Sequence, residues 1–496
     1  MHYSLLCAAA LGLLALSANL APAEGLSPEA AGELRSDPFV KEPGKDPVQK
    51  AAPAPPGEGH SLLVFETFAL DASRALEILE PAEGAAARYK QMATLVRQGQ
   101  ARLIDLVASA TKPGTRNTVE SMDDFRYATE FEVNGQAAEP VSGTAFESRS
   151  VGESLGHEFV FEPGDPSPVL SYTLKRIVFT GMRHYSEPPG DPAVDQPGFA
   201  GQQADGALRL SPGAPQLVLT HSPAPGTSPA YPDAEIHFTF ARFVPQLLAP
   251  HTSAPALGRA ALVEYTFISL DRSSAEEVLS GSLGLDEAWH EATRLVADHQ
   301  GRLEHAMAVS AEQNRRAQNS EGSELRYPTE FEPHSLTDPV IDWTETSRTE
   351  DRPSSGGAIA SPPDANRVAI REATTRHAAT GKPVPNPGYP TAFETRDLGY
   401  KVEQELKLNP ARTAGDLSAA ITFVANRGII QHDGAVNRQI EQPLFEQRVL
   451  KTVALAAPGR HILLGTLNPP GANGVNGRKD SGAVWLCFAC LSSAQP

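Results

Sequence analysis

Cysteine is scarce in this chain, with three residues in 496, at Cys7, Cys487 and Cys490. No second Cys or His pair complements the C-x-x-C formed by the last two, so a zinc site lacks a complete ligand set. Clustered Lys and Arg are missing too. With 42 basic against 60 acidic side chains, a formal net charge of −18 and a pI near 5.3, the chain is unsuited to neutralising phosphates, which opposes a nucleic-acid partner. Beyond the N-terminus no apolar run approaches the roughly 18 residues that a membrane-spanning helix needs, while strands that reach a membrane are left open. The glycines of GANGVNGRKDSG, residues 471–482, lack the spacing of a phosphate-binding loop and read as a hairpin tip.

At the N-terminus, an apolar run from Leu5 to Leu16 precedes Ala21-Pro22-Ala23, the small-x-small form of a signal-peptidase site. Export is therefore expected, with the mature chain beginning near Glu24. The polar, proline-rich stretch up to residue 60 reads as an extended linker.

The dominant feature is duplication. FRYATEFE (Phe125 to Glu132) returns as LRYPTEFE (Leu325 to Glu332), an offset of 327 − 127 = 200, and the same register carries Leu62, Asp71 and Leu79 onto Leu262, Asp271 and Leu279. TAFESRSVG recurs as TAFETRDLG at 391 − 144 = 247, and QPGF (Gln196 to Phe199) returns as QPLF (Gln442 to Phe445). A duplicated unit must fold by itself or bury a face on its copy, so function is to be sought in a shared scaffold. The expected boundaries are a signal peptide at 1–23, a linker at 24–60, a first repeat at 61–246, a linker at 247–259 and a second repeat at 260–492 with a disordered insertion at 333–389.

Each repeat opens with a strand-like run, LLVFETFAL or ALVEYTFISL, followed by a short helix from Ser73 or Ser273, where Ser274 and Glu277 fit a capping box. Met92, Leu95, Val96, Leu103, Leu106 and Val107 then recur at helical spacing, as do Ala292, Leu295, Val296, Leu303, Ala306 and Met307, which predicts one long amphipathic helix per repeat. His299 falls on that stripe where the first copy has Gly99. Period-two alternation follows, so the expected class is α+β: two tandem repeats, each a strand, a short helix, a long amphipathic helix and a mainly antiparallel sheet.

The order PTAFETRDLGYKVEQEL, QPLFEQRVLKTVALAAPGRHILLGTL and AVWLCFACL resembles the C-terminal homology domain of secretins, the outer-membrane ring proteins of type II and III secretion systems. Gly399 occupies the glycine of the opening motif; Phe445, Arg448, Thr452, Gly459 and Gly465 match the later run. The family's V-P-x-L-G segment is replaced here by NPPGANGVNGRKDSG. The resemblance implies a non-enzymatic envelope component of a Gram-negative bacterium, in the periplasm or outer membrane, that self-associates or meets secretion-system proteins through strand edges. It implies no cofactor and leaves membrane contact open. A soluble monomeric binding scaffold is the alternative. A thiol redox enzyme would need Cys487 and Cys490 reactive, yet a strand places positions i and i+3 on opposite faces, which strains a mutual disulfide.

Overall fold

The computed structural model describes residues 60–79, 84–132, 142–162, 165, 167–185, 194–222, 235–245, 257–258, 260–280, 286–332, 340–349, 367–376, 389–433, 439–469 and 482–493. The expected signal peptide and nearly all of the N-terminal linker lie outside them. The chain divides into two units, Met1–Lys50 and Ala51–Pro496, and everything below concerns the second.

The first repeat runs β1 (Ser61–Asp71), α1 (Ala72–Leu79), α2 (Ala85–Arg97), β2 (Arg102–Thr111), β3 (Asn117–Glu132), β4 (Ser142–Val160), β5 (Val169–Tyr185), β6 (Val194–Arg209), β7 (Gln216–His221) and β8 (Glu235–Pro245). The second runs β9 (Ala260–Asp271), α3 (Arg272–Ser280), α4 (Glu287–Ala297), β10 (Gly301–Glu312), β11 (Arg316–Glu332), β14 (Tyr389–Leu408), β15 (Gly415–Asp433), β16 (Gln439–Ala456), β17 (His461–Leu467) and β18 (Ala483–Ser493). Between β11 and β14, within the insertion expected to be disordered, lies an antiparallel ribbon of β12 (Val340–Thr349) and β13 (Arg367–Arg376).

The expected α+β repeat with a long amphipathic helix is corrected here: the protein is mostly β, with short helices. The stripe from Met92 to Val107 belongs to two elements. Helix α2 stops at Arg97, Gly99 turns the chain at φ 67°, and Leu103, Leu106 and Val107 lie in β2. Three- and four-residue spacings continued by chance into a strand whose apolar residues face both ways. In the second copy His299 takes the same left-handed turn at φ 60°, so it ends the helix and does not lie on its stripe. The short helices are capped by aspartate rather than by Ser274: Asp71 Oδ1 accepts the backbone N–H of Arg74, and Asp271 Oδ1 that of Ser274.

The strands form two eight-stranded antiparallel sheets. An inner sheet has the order β10-β9-β18-β17-β2-β1-β8-β7, and a long-stranded sheet the order β11-β14-β15-β16-β3-β4-β5-β6. Leu63, Phe65, Tyr265, Phe267 and Leu464 of the inner sheet pack on Leu155, Phe159, Leu417, Ile421 and Leu450 of the other. The opposite face of the inner sheet carries the helices: Leu62, Val64, Leu106 and Phe488 meet Ala275, Val278, Ala292 and Leu295. Three layers result. Being covered on both faces, β1 is buried from Ser61 to Leu70, which explains its nearly unbroken apolar run. In the long-stranded sheet Gly152, Gly181, Gly399 and Gly428, all at positive φ, mark where long strands change course.

Candidate functional site: the seam between the repeats

Both sheet orders reduce to the same rule. Each repeat contributes four consecutive strands per sheet, and the repeats join head to tail. In the inner sheet β17 of the second copy meets β2 of the first; in the long-stranded sheet β16 meets β3, pairing Phe445 with Asp124 through to Lys451 with Thr118. A third contact pairs Glu330 of β11 with Ala145 of β4.

The residues that carried the secretin resemblance concentrate on this seam. Arg448, fully buried, donates to Asp123 Oδ1 at 2.9 Å and to the carbonyls of Met122, Asn468 and Pro469 at 2.8, 2.6 and 3.1 Å. A guanidinium satisfied on this many sides avoids the desolvation penalty that an unpaired buried charge would incur. The Thr452 hydroxyl donates to the carbonyl of Ala110 across the seam. Gly465 faces Ser109, and a Cβ there would stand 2.6 Å from the Ala108 carbonyl, so only glycine allows β17 this approach. Next to it, the Thr466 hydroxyl accepts from Ala108 N at 2.7 Å and donates to Leu106 O at 3.2 Å, filling the ladder where the strands splay. The Phe445 ring lies 5.1 Å from Tyr327. Gly399, at φ 113°, crosses against Gly322, and Gly459 makes the turn from β16 to β17.

At the far end, the seam opens into a polar cavity of about 290 Å³ lined by Asp124, Arg126, Tyr327, Glu394 and Arg396. Arg396 donates to Asp124 at 2.9 Å; Arg126 lies 4.7 Å over the Tyr327 ring and 3.9 Å from Glu394. Phe146 of the first copy packs on Phe331 of the second. The duplicated motifs also meet within each copy, because Gln196 donates to the carbonyl of Ala128 at 2.9 Å and Gln442 to that of Pro328 at 3.1 Å.

The possible thiol pair stays apart. Cys487 and Cys490 are both free and buried, with Cys487 in the core between the sheets. Burial pushes the Cys487 thiol far up; burial, then Glu264 and Asp286, raise that of Cys490. Thiolate is scarce at neutral pH at both positions.

A second feature escaped the sequence reading. An open cleft of about 670 Å³ in the helix layer is lined by Tyr89, Arg242, Ser273 and Glu276, and beneath it Glu66 accepts the Tyr89 hydroxyl at 3.0 Å, with Arg242 3.7 Å away. Burial pushes the Glu66 carboxyl up to about 7, partly offset by Arg242. The folded state thus holds a proton that the unfolded chain releases near pH 4.5. The stability this contributes is full at low pH and is lost as pH rises from about 4.5 to about 7, by about 3 kcal/mol. Glu66→Gln is expected to flatten that fall, measured as the difference between wild-type and variant melts from pH 5 to 8. An unchanged difference across that range would show that Glu66 ionises freely. The sequence signal was faint: the second copy has Thr266 at this position.

Among the described residues, no group of three or more His, Cys, Asp and Glu side chains is placed to hold a metal, and no helix is long and apolar enough to cross a membrane. The fold and seam define a three-layer, tandem-repeat β protein whose halves join by sheet continuation. In comparisons with protein-family models, curated proteins and solved structures, none matches the chain.

Proposed function

We propose that the chain is a non-enzymatic, exported envelope protein that serves as a structural or assembly component related to protein secretion, engaging protein partners through the free edges of its sheets. One observation carries this reading. Four edge strands, β7 and β10 in the inner sheet and β6 and β11 in the long-stranded sheet, end the ladders among the described residues, β11 meeting β4 besides at Glu330 alone. The β6 edge from Ala200 to Ala204 is Ala-Gly-Gln-Gln-Ala, without the lysine or proline that commonly blunts an edge. The resemblance to secretins, proteins that assemble through β-structure, points the same way. The cleft over Tyr89 favours a second reading, a monomeric binding scaffold, because it is a ready concave site.

A photo-crosslinking residue placed at Gln203 on β6 or Ser310 on β10, with Asp298 in the helix layer as control, tests the proposal in a Gram-negative host. Protein adducts from the edge positions in the periplasmic or outer-membrane fraction are expected. Adducts only from Asp298, or a chain retained in the cytoplasm, would overturn it.

A further inference from the structure

We infer that the partner of these edges is a second copy of this chain, docked head to tail so that β6 and β7 of one copy continue into β11 and β10 of the next. The inference rests on the edge-binding reading above and names its partner. Its basis is the seam. Because the repeats join head to tail rather than by a two-fold, each free edge is the counterpart of a strand that is paired inside the chain: β7 corresponds to β17, β10 to β2, β6 to β16 and β11 to β3. A heterologous contact of this kind can repeat from chain to chain and yields a ring when the rotation closes or a filament when it does not.

Applying the repeat offsets to the seam pairs predicts the contacts between copies, and the chemistry at the free edges fits. Arg396 with Asp124 becomes Arg149 with Glu324 of the next copy, still opposite in charge. Arg126 with Tyr327 and Glu394 becomes Arg326 of the next copy with Tyr127 and Glu147. These side chains are exposed apart from Tyr127, which is half-buried, although their twins are seam partners. Phe393 is the twin of Phe146; Phe146 is 7 % exposed against the other repeat, and Phe393 stands 45 % exposed where Phe131 of another copy would cover it.

The inner sheet keeps the seam's threonine but not its glycine. The bulge between Leu217 and Leu219 matches that between Leu463 and Gly465, which sets Thr220 in the place of Thr466. Its targets would be the backbones of Ala306 and Ala308, exposed small residues whose twins Leu106 and Ala108 are buried in the seam. Three seam features are not reproduced: Arg448 and Asp123 become Gln202 and Ser323, Thr452 becomes Gly206, and Gly465 becomes Leu219, whose Cβ sets β7 farther from its neighbour than β17 stands from β2. The neutral Gln202 and Ser323 spare a separable interface the cost of burying charge.

Sedimentation of the full chain over a concentration series tests the inference. Assemblies at multiples of the chain mass are expected. Arg149→Glu should raise the dissociation constant by about tenfold or more, and adding Glu324→Arg should restore it, because each interface then carries the swapped pair. Ala308→Lys should weaken assembly through the other sheet. These positions are exposed, so unchanged melting temperatures would exclude misfolding as the cause. A monomer at every concentration, or assemblies indifferent to Arg149→Glu and Ala308→Lys, would overturn the inference. If edge crosslinks then led to a different envelope protein, the edge-binding function would stand with copy-to-copy docking removed.

Discussion

Arg448→Met is expected to destabilise the protein by about 3–5 kcal/mol, the largest effect of any single substitution in the seam. Asp123 is 1 % exposed and would be left charged in the core, while the carbonyls of Asn468 and Pro469 would lose their buried donors. The loss should fall well below that range in the double variant Arg448→Gln with Asp123→Ser, which copies the chemistry of the free edges at Gln202 and Ser323. Urea melts of the wild type and both variants provide the check. A single-variant loss under about 1 kcal/mol would mean that the seam does not depend on this ion pair.

Phe65→Tyr combined with His157→Gln is expected to protect the protein against acid. In the second repeat the twins of these residues, Tyr265 and Gln404, form a buried hydrogen bond, and Gln404 also donates to the carbonyl of Val309 at 3.2 Å. In the first repeat Phe65 sits 6.3 Å from the His157 ring, and among the described residues neither ring nitrogen of His157 has a hydrogen-bond partner. Burial depresses the imidazole to about 4 from its ordinary 6.5. The unfolded chain therefore takes up a proton before the folded one does, so this stability is present above pH 6.5 and is lost as pH falls toward 4. The double variant should keep about 2–3 kcal/mol more of its neutral-pH stability at pH 4.5 than the wild type does. His221 and His237, also depressed by burial, to about 4 and about 3, remain in both proteins and cancel in the comparison. Parallel acid-unfolding curves for the two proteins would remove His157 as a source of acid sensitivity.

The duplication and its exact registers could be read from the sequence because identical phrases mark them, and the offsets of 200 and 247 locate the equivalent strands β3 and β11, β4 and β14. The motif positions Phe445, Arg448, Thr452 and Gly465 could be singled out by likeness alone, but nothing in the sequence announced that they face the other repeat. Their partners Asp123, Asp124, Arg126 and Thr466 were missed. The available signal lay in the mismatches, such as Arg448 against Gln202 and Asp123 against Ser323, where otherwise aligned copies differ because one side is buried and the other is free.

The amphipathic stripe misled for a local reason. A sheet covered on both faces gives its strands no polar alternation, so Leu103, Leu106 and Val107 fitted a helical period as well as a strand's, and only the turns at Gly99 and His299 divide the elements. By itself the sequence determined that two similar units are joined in one chain and which segments in each are equivalent, since identity of residues survives without reference to contacts. The tertiary structure alone decided that the units join head to tail, leaving one complementary pair of edges in each sheet, because strand order is set by long-range backbone pairing and the burial it permits, which no local pattern encodes.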